Sequence, residues 1–403
     1  MISTCPNCRT GHVTPFFETR AAPIHSVLLL KNRDEAVRFP RGEMCLGVCD
    51  DCAFIFNMAF DEDGMTYELG YESTQAYSGT FRAFQEAVVD RLMDTYDLAG
   101  KHAIEVGCAQ GEFLELMRQK GIGSATGFDP AHDASRSALA AQPGFEIIAD
   151  YFNAQQAERR SDVLACLMTI EHVIRPADFL QEIVDAIDTA SEPVVYLQAP
   201  NAEKILDDGA FWDVYYEHCS YFTAPSLRHV VEHAGLDVLN TRTEYDDQYL
   251  TVDARPSKRT AQATAKAADI AAIRRKVTNF AANAQATIAG WTDFLNTARA
   301  RGETVVLWGG GSKAVAFLTA LDEPKSLAFA VDINPLKNAT FLPGSGVEVI
   351  SPNRLEGIGV DHVIVLNPIY MNEIAATLEG LGLRPKLHAI TDMAGHAASL
   401  ATT

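Results

Sequence analysis

The chain contains no apolar run that approaches the roughly 20 residues needed to span a bilayer. Its opening residues, Met1 to Cys5, also lack the charged and apolar regions of a secretion signal. No low-complexity tract and no long internal repeat is visible. These absences predict an ordinary soluble, cytoplasmic protein.

Positive charge is scarce as well. The 33 Lys and Arg residues face 53 Asp and Glu residues, so the formal net charge is -20. Such a protein repels phosphate backbones and has no basic stripe for nucleic acid. We expect neither a nucleic acid nor a membrane as partner, and we expect a small-molecule substrate. Any anionic substrate must be met by a local cluster of basic side chains or backbone N–H groups.

The length of 403 residues exceeds what one hydrophobic core usually organises. Strand-like apolar runs such as Ala103 to Val106 alternate with amphipathic stretches, which is typical of a doubly wound α/β sheet. The pattern predicts a small Cys-rich module at 1–65 and an α/β domain at 66–255. A helical connector at 256–301 and a second, smaller Rossmann-like α/β domain at 302–403 follow.

Five of the eight cysteines fall within the first 52 residues. Two CxxC pairs in that module can supply four thiolates, the ligand set of a tetrahedral structural zinc site. Inert buried thiols are the alternative, and Cys45, His12 or His25 could replace one ligand. The predicted metal ligands are Cys5, Cys8, Cys49 and Cys52.

A strand ending at Val106 runs into a glycine-containing turn and then a helix. Such turns let the backbone approach a nucleotide closely, and an acidic residue after the next strand, here Asp129, can hold ribose hydroxyls. From these residues alone, a dinucleotide remains a competing ligand.

The E-x-G-C-x-x-G pattern of this turn resembles the first motif of class I S-adenosylmethionine (SAM)-dependent methyltransferases, and the later segment Thr169 to Val173 resembles their "EH(V/I)" segment. The resemblance implies that SAM is the cofactor, with its methionine end at the glycines, its ribose at Asp129 and its adenine beside residues 150–152. The implied cofactor-binding residues are Glu105, Gly107, Cys108, Gly111, Asp129, Asp150, Tyr151, Phe152 and Glu171.

Tyr, Glu and His are concentrated in the segment from Phe211 to Thr223. A histidine can act as a base at neutral pH, and Glu or Tyr can orient it or stabilise an enolate. A structural aromatic cluster is the alternative. The pattern Y-x-E-H-x-S-Y-F also resembles the C-methyltransferases of deoxysugar biosynthesis, which combine a zinc module, a SAM domain and a C-terminal α/β domain.

This second resemblance implies that Tyr215, Glu217 and His218 line the acceptor site, with Tyr216 contacting the substrate. Tyr71 is the first residue of the segment Tyr71-Glu72-Ser73-Thr74, at the position where that family has a Tyr-His-Ser-Ser motif. The second and fourth positions of this motif differ here, which bears on the identity of the acceptor more than on the reaction class.

The C-terminal half carries a glycine turn in which Gly309, Gly311 and Ala314 fit G-x-G-x-x-A, with Asp332 after the next strand. NAD binding is therefore a rival interpretation. The same stretch resembles the C-terminal domain of the sugar C-methyltransferases, which implies that Lys313 and nearby N–H groups hold a substrate diphosphate.

The resulting hypothesis is that His218 removes a proton beside the ketone of a nucleotide-linked keto-deoxysugar and that the enolate takes the methyl group of SAM. Three alternatives remain. They are an O- or N-methyltransferase acting on a sugar or other small metabolite, an NAD-dependent oxidoreductase or epimerase, and a non-enzymatic zinc-bearing interaction module.

Ligand-induced stabilisation separates the cofactor alternatives. We expect SAM or S-adenosylhomocysteine to raise the melting temperature by several degrees, because a ligand that binds only the folded state at about 100 times its Kd adds about 2.7 kcal/mol. NAD serves as the control and should leave the melting temperature unchanged. A shift with NAD alone would contradict the SAM interpretation.

Overall fold

The computed structural model describes residues 1–67, 70–139, 141–153, 161–257, 266–321 and 327–393. The described residues form three β-sheets, of four, seven and six strands. Together with the helices they confirm the predicted α/β fold class, with a Rossmann-like central domain, a long helix and a second, smaller α/β unit.

The N-terminal sheet has the order β1-β2-β3-β9 and is antiparallel throughout. A short helix, α1 (Arg33–Val37), lies between its first two strands. The fourth strand comes from far along the chain, since Ile55 pairs with Tyr221. The strands are β1 (Val13–Pro23), β2 (Arg41–Cys49), β3 (Ile55–Asn57) and β9 (Ser220–Tyr221).

The central sheet has the order β10-β11-β8-β7-β4-β5-β6. Its strands are β4 (His102–Val106), β5 (Ser124–Phe128), β6 (Phe145–Ile148), β7 (Val163–Leu167), β8 (Val194–Pro200), β10 (Leu236–Glu244) and β11 (Tyr249–Pro256). The five strands from β8 to β6 are parallel, and the hairpin β10-β11 pairs antiparallel to β8. Ligands of such sheets bind beyond the carboxyl ends of the parallel strands.

Helices connect these strands because their apolar residues recur at helical spacing and pack on the sheet. In α3, for example, Phe113, Leu114 and Met117 are the buried positions. The helices are α2 (Gly79–Tyr96), α3 (Glu112–Gln119), α4 (Pro176–Ala186), α5 (Ala202–Asp208) and α6 (Ala224–His233).

A 35-residue helix, α7 (Ala267–Arg301), links the central domain to the last one and ends at Gly302, which has φ 70°. Residues 258–265 of the predicted connector lie outside the described residues. The indole N–H of Trp291 donates to the carbonyl of Ile390 over 2.9 Å. The buried positions of α7 recur every three or four residues and form one stripe: Ile273, Val277, Phe280, Ala284, Thr287, Trp291, Leu295 and Ala298.

The C-terminal sheet has the order β14-β15-β13-β12-β16-β17 and is parallel except for β14. Its strands are β12 (Val305–Trp308), β13 (Ala330–Val331), β14 (Thr340–Phe341), β15 (Glu348–Ile350), β16 (His362–Val365) and β17 (Lys386–Ala389), with helices α8 (Ser312–Ala320) and α9 (Met371–Gly380). Among the described helices, none is both long and apolar enough to cross a membrane.

The three parts share apolar cores. One cluster joins β1 to α7 and the C-terminal sheet, and Phe17 meets the ring of Phe280 edge-on at 5.0 Å. A second cluster joins the N-terminal module to the central sheet, where Phe54 packs 5.2 Å from Phe222. Because buried apolar surface holds both contacts, the carboxyl ends of the two parallel sheets keep their positions around one cavity.

Candidate active site

A cavity of about 1210 Å³ lies between the central and C-terminal domains. The turns that follow β4, β5 and β7 line one side, and those that follow β12, β13 and β16 line the other. Ordinary small-molecule sites measure roughly 300 to 1,000 Å³. The cavity is therefore larger than an ordinary site for one small molecule.

The turn after β4 depends on glycine at two positions with left-handed backbone. Gly107 has φ 74°, and a Cβ there would lie 2.0 Å from Oγ1 of Thr169. Gly111 has φ 84°, and a Cβ there would lie 2.6 Å from Cδ1 of Ile147. Gly107 and Cys108 line the cavity, whereas Gly111 packs behind the turn.

Two carboxyl groups face the cavity beside this turn. Asp129 accepts the backbone N–H groups of Ala109 and Ala131, each over 2.8 Å, and burial raises its pKa. Glu105 is 3% exposed, burial raises its pKa well above the usual range, and its Oε2 has no hydrogen-bond partner among the described residues. Both groups are available to the hydroxyl or amino groups of a ligand.

The three residues expected near the adenine are placed differently. Phe152 packs edge-on against Phe128 at 5.1 Å, and Tyr151 is 56% exposed, and both line the cavity. Asp150 does not line it and accepts the N–H of Tyr151 over 2.8 Å. Asp150 thus acts on the turn rather than on a ligand directly.

A Tyr–His pair faces the same cavity from the segment before β9. The hydroxyl of Tyr215 lies 2.9 Å from Nε2 of His218, and the His218 ring is 5% exposed. Burial lowers the pKa of His218 well below its usual value and raises that of Tyr215 well above. At neutral pH the pair is a free base beside an undissociated phenol, which is the combination needed to take up a proton and donate a hydrogen bond.

Tyr71 also lines the cavity, and burial followed by the charge of Glu217 raises its pKa well above normal. Glu217 itself does not reach the cavity. It is 0% exposed and accepts the backbone N–H of Ser26 over 2.9 Å, the Ser26 hydroxyl, and a hydrogen bond with Nδ1 of His25 over 3.0 Å. Our expectation that Glu217 touches the acceptor thus differs from its position in the structure.

Tyr216 is also placed away from the cavity. Its hydroxyl accepts the N–H of Asp61 over 2.9 Å, and its ring packs 5.1 Å from Phe60. The physical reason is local geometry. Tyr215 and His218, three residues apart, point to the cavity, while the two residues between them point into the N-terminal module.

Lys313 lines the cavity from the first turn of α8 and forms an ion pair with Asp213. Across the turn, Asp332 accepts a hydrogen bond from the N–H of Gly310 over 2.8 Å. It also forms an ion pair with Nζ of Lys337 over 3.3 Å. The carboxylate that NAD would need for its ribose is therefore paired with a protein cation.

Two cavity-lining residues escaped the sequence analysis, which assigned no role to Tyr67 or His172. The hydroxyl of Tyr67 lies 2.9 Å from Nδ1 of His172, and the His172 ring meets that of His218 at 4.9 Å. His172 carried a usable signal, since it follows Glu171 just after a parallel strand. Tyr67 carried none, because its position depends on the fold of the loop.

Glu171 lies beside these histidines. Its Oε1 is 3.9 Å from Nε2 of His218, and neither carboxylate oxygen has a hydrogen-bond partner among the described residues. Burial raises its pKa to about 8.

The four predicted metal ligands come together at the C-terminal end of β2. Their sulfur atoms lie within 4.8 Å of one another, with Cys5 and Cys52 at 3.8 Å and Cys8 and Cys49 at 3.4 Å. A tetrahedron with Zn–S bonds of about 2.3 Å has sulfur–sulfur edges of about 3.8 Å. The cluster therefore fits a closed zinc site.

Comparisons with known proteins agree with this geometry. Residues 79–241 match the family described as "Methyltransferase domain", and residues 250–383 match the family described as "C-methyltransferase C-terminal domain". The chain is 25% identical over 319 residues to the C-methyltransferase NovU of Streptomyces niveus, covering 75% of each protein.

Two solved structures that resemble part of the chain are methyltransferases. The magnesium protoporphyrin IX methyltransferase ChlM of Synechocystis is 14% identical, with a TM-score of 0.36 over 44% of this chain and 84% of ChlM. A SAM-dependent methyltransferase of Mesorhizobium loti is 11% identical, with a TM-score of 0.34 over 44% of this chain and 100% of its own.

We predict that Glu217→Gln lowers the free energy of unfolding by about 1 to 3 kcal/mol, because an amide cannot accept all the hydrogen bonds of the buried carboxylate. Urea denaturation measures the change, and Glu86→Gln on the exposed face of α2 is the control. Binding of S-adenosylhomocysteine should be unchanged, since Glu217 lies outside the cavity. Unaltered stability would refute the anchoring role.

Proposed function

We propose that the chain, a SAM-dependent C-methyltransferase, adds a methyl group to the carbon beside the ketone of a nucleotide-linked keto-deoxysugar. The observation that carries this proposal is the Tyr215–His218 pair. It places a buried, uncharged base in the cavity that the SAM-type turn and the C-terminal domain share.

SAM, when bound, supplies a methyl group on a positively charged sulfur. The residues suited to hold it are those of the turn at Gly107 and Cys108, with Asp129 for hydroxyl groups and Tyr151 and Phe152 for a flat base. Glu105 adds a buried acceptor without a partner, which a ligand amino or hydroxyl group would satisfy. Gly111 and Asp150 shape the turns without lining the cavity.

His218 is suited to remove the carbon-bound proton, because its neutral ring faces the cavity. The resulting enolate oxygen needs hydrogen-bond donors, and the undissociated phenols of Tyr215 and Tyr71 would supply them by turning from their present partners, Nε2 of His218 and Glu217. Glu217 acts through Ser26 and His25 by holding the segment in place.

A nucleotide-linked acceptor is supported by the second half of the cavity. Lys313 lies in the first turn of α8, whose N-terminal N–H groups would attract a diphosphate, and the diphosphate would compete with Asp213 for Lys313. The C-terminal domain at 302–403 would thus be the substrate domain. The relative NovU is a C-methyltransferase, in line with a carbon acceptor. We retain the expectations of a small-molecule substrate, of no nucleic acid or membrane partner and of a cytoplasmic location.

O- or N-methylation with the same base is the second candidate, because His218 would also deprotonate a hydroxyl or amine. The NAD alternative is less favoured, since Lys337 already pairs with Asp332. A purely structural module would have no use for a neutral histidine in a cavity of this size.

We also propose that residues 1–65 bind one structural zinc ion through Cys5, Cys8, Cys49 and Cys52. Four sulfur ligands leave no open position, so the ion would hold the module together and take no part in the reaction. The module carries β3, and β3 pairs with β9 two residues beyond His218. Zinc would thus support the base indirectly.

For zinc, we expect elemental analysis to find one ion per purified chain and Cys8→Ser to lose most of it, because three thiolates bind zinc far less tightly. Cys45→Ser is the matched control, since this buried thiol lies 3.7 Å from Glu18 rather than in the cluster. Retention of zinc by Cys8→Ser, or its loss from Cys45→Ser, would disprove this ligand set.

For the reaction, we expect turnover of SAM with nucleotide-linked 4-keto sugars, together with exchange of the α-proton in deuterated solvent. His218→Asn should slow both by about 10² to 10⁴, the usual contribution of a general base. The matched control is His233→Asn, at an exposed position on α6.

Mass spectrometry measures both exchange and methylation across a panel of sugars. Methylation without exchange, with the new methyl on oxygen or nitrogen, would favour the second candidate. Full activity of His218→Asn would remove His218 as the base.

A further inference from the structure

We propose that Glu171 is the counter-ion of His218, a carboxylate that balances the positive charge His218 acquires when it accepts the substrate proton. This inference rests on the proposed function and changes the role of Glu171 from the cofactor-binding one implied by resemblance. Glu171 is a positioning residue that acts on the substrate through His218.

The first support is the position of Glu171. It lies in the short helical turn Ile170–His172 directly after β7, lines the cavity and is 1% exposed. Its Oε1 is 3.9 Å from Nε2 of His218, the nitrogen that also meets the Tyr215 hydroxyl. An imidazolium formed at Nε2 would therefore have a carboxylate as its neighbour.

The second support is what Glu171 lacks. Neither of its oxygens has a hydrogen-bond partner among the described residues, although buried carboxylates are nearly always paired. A partner that arises only during the reaction accounts for this arrangement. Glu105, a second buried cavity carboxyl with an unpaired oxygen among the described residues, lies at the glycine turn, where a cofactor rather than a base would satisfy it.

The groups around Glu171 leave His218 as its natural partner. Burial raises the pKa values of the surrounding phenols and thiols and lowers that of His172, so these groups are neutral near pH 7. The positive charge of Lys313 contributes to lowering the pKa of His218. Lys313 already forms an ion pair with Asp213. The neutral groups are Tyr67, Cys166, His172, Tyr215, Cys219 and Tyr249.

The step balances as follows. The Tyr215 O–H first turns from Nε2 of His218 to the substrate oxygen, which frees the lone pair of Nε2. The C–H bond beside the ketone then breaks, its electron pair forms the enolate, and the proton goes to Nε2 of His218. The cation formed there and the Glu171 carboxylate form a neutral pair in a region of low dielectric, where an unpaired charge is costly. The enolate carbon then takes the methyl group, the S–C electron pair stays on sulfur, and His218 later returns its proton to water.

The pH dependence follows from the raised pKa of Glu171. Above about pH 8 the carboxylate is charged and strengthens His218 as a base, and as the pH falls through that value Glu171 takes up a proton and the help is lost. The rate of α-proton exchange should therefore rise with pH through this region. Glu171→Gln should remove the rise and slow exchange at high pH about tenfold or more.

A measurement that needs no acceptor tests the pairing itself. The full-length protein, labelled with ¹³C in Glu carboxyl and His ring carbons and saturated with S-adenosylhomocysteine, is titrated by NMR. Loss of signals in Glu171→Gln and His218→Asn identifies the two residues. We expect one carboxyl signal to titrate near pH 8 and the His218 signal to move with it, a step that Glu171→Gln abolishes.

Two variants serve as controls. Glu182→Gln removes one negative charge from an exposed glutamate at the rim of the cavity and should keep the step. Glu171→Asp keeps a carboxylate and should retain the step at a shifted pH. It also serves as the test variant if Glu171→Gln does not fold.

A His218 signal indifferent to Glu171→Gln would overturn the proposal. So would a loss of S-adenosylhomocysteine affinity in Glu171→Gln with an unchanged exchange rate, since that result assigns Glu171 to the cofactor. If the unaltered protein exchanges no proton of any keto sugar, the proposed function fails, and the NMR titration still decides whether Glu171 and His218 share a charge.

Discussion

One buried carboxylate joins the three parts of this enzyme. Glu217, in the segment that carries the Tyr–His pair, accepts hydrogen bonds from Ser26 of the N-terminal module, and the Ser26 hydroxyl lies 2.7 Å from that of Ser312 in the C-terminal domain. A buried carboxylate is stable only while these partners stay in place. These contacts therefore stabilise the relative position of the N-terminal module, the Tyr215–His218 segment and the C-terminal domain around the cavity.

Most of the fold could be predicted from the sequence, because its helices and strands follow from local patterns of apolar and polar residues. Alternating apolar runs and amphipathic stretches predicted both α/β units, and the two CxxC pairs predicted a cluster that the structure brings together. Pairings between distant segments left no such trace. The two residues of β9 are too short to produce a periodic signal, yet they complete the N-terminal sheet by pairing with β3.

The sequence predicted the types of residue in the site but not the direction in which each side chain points. Sequence placed Tyr215, Glu217 and His218 in one group, because each carries suitable chemistry. Only the backbone path shows that Glu217 does not line the cavity and binds Ser26 and His25 instead. Likewise, Gly107 could be assigned to the cofactor turn from its motif. The meeting of Tyr67 with His172 depends on a loop conformation that no residue pattern specifies.

The departure from the sugar-methyltransferase motif after Tyr71 has a structural counterpart. Glu72 is buried, accepts Arg136 of the central domain over 2.6 Å and accepts the side-chain amide of Asn334 in the C-terminal domain over 2.9 Å. A glutamate here thus ties the loop that bears Tyr71 to both walls of the cavity. A histidine could not accept two such bonds while holding a negative charge against Arg136. Glu72 therefore fixes the loop that carries Tyr71, and Tyr71 lines the same cavity as His218.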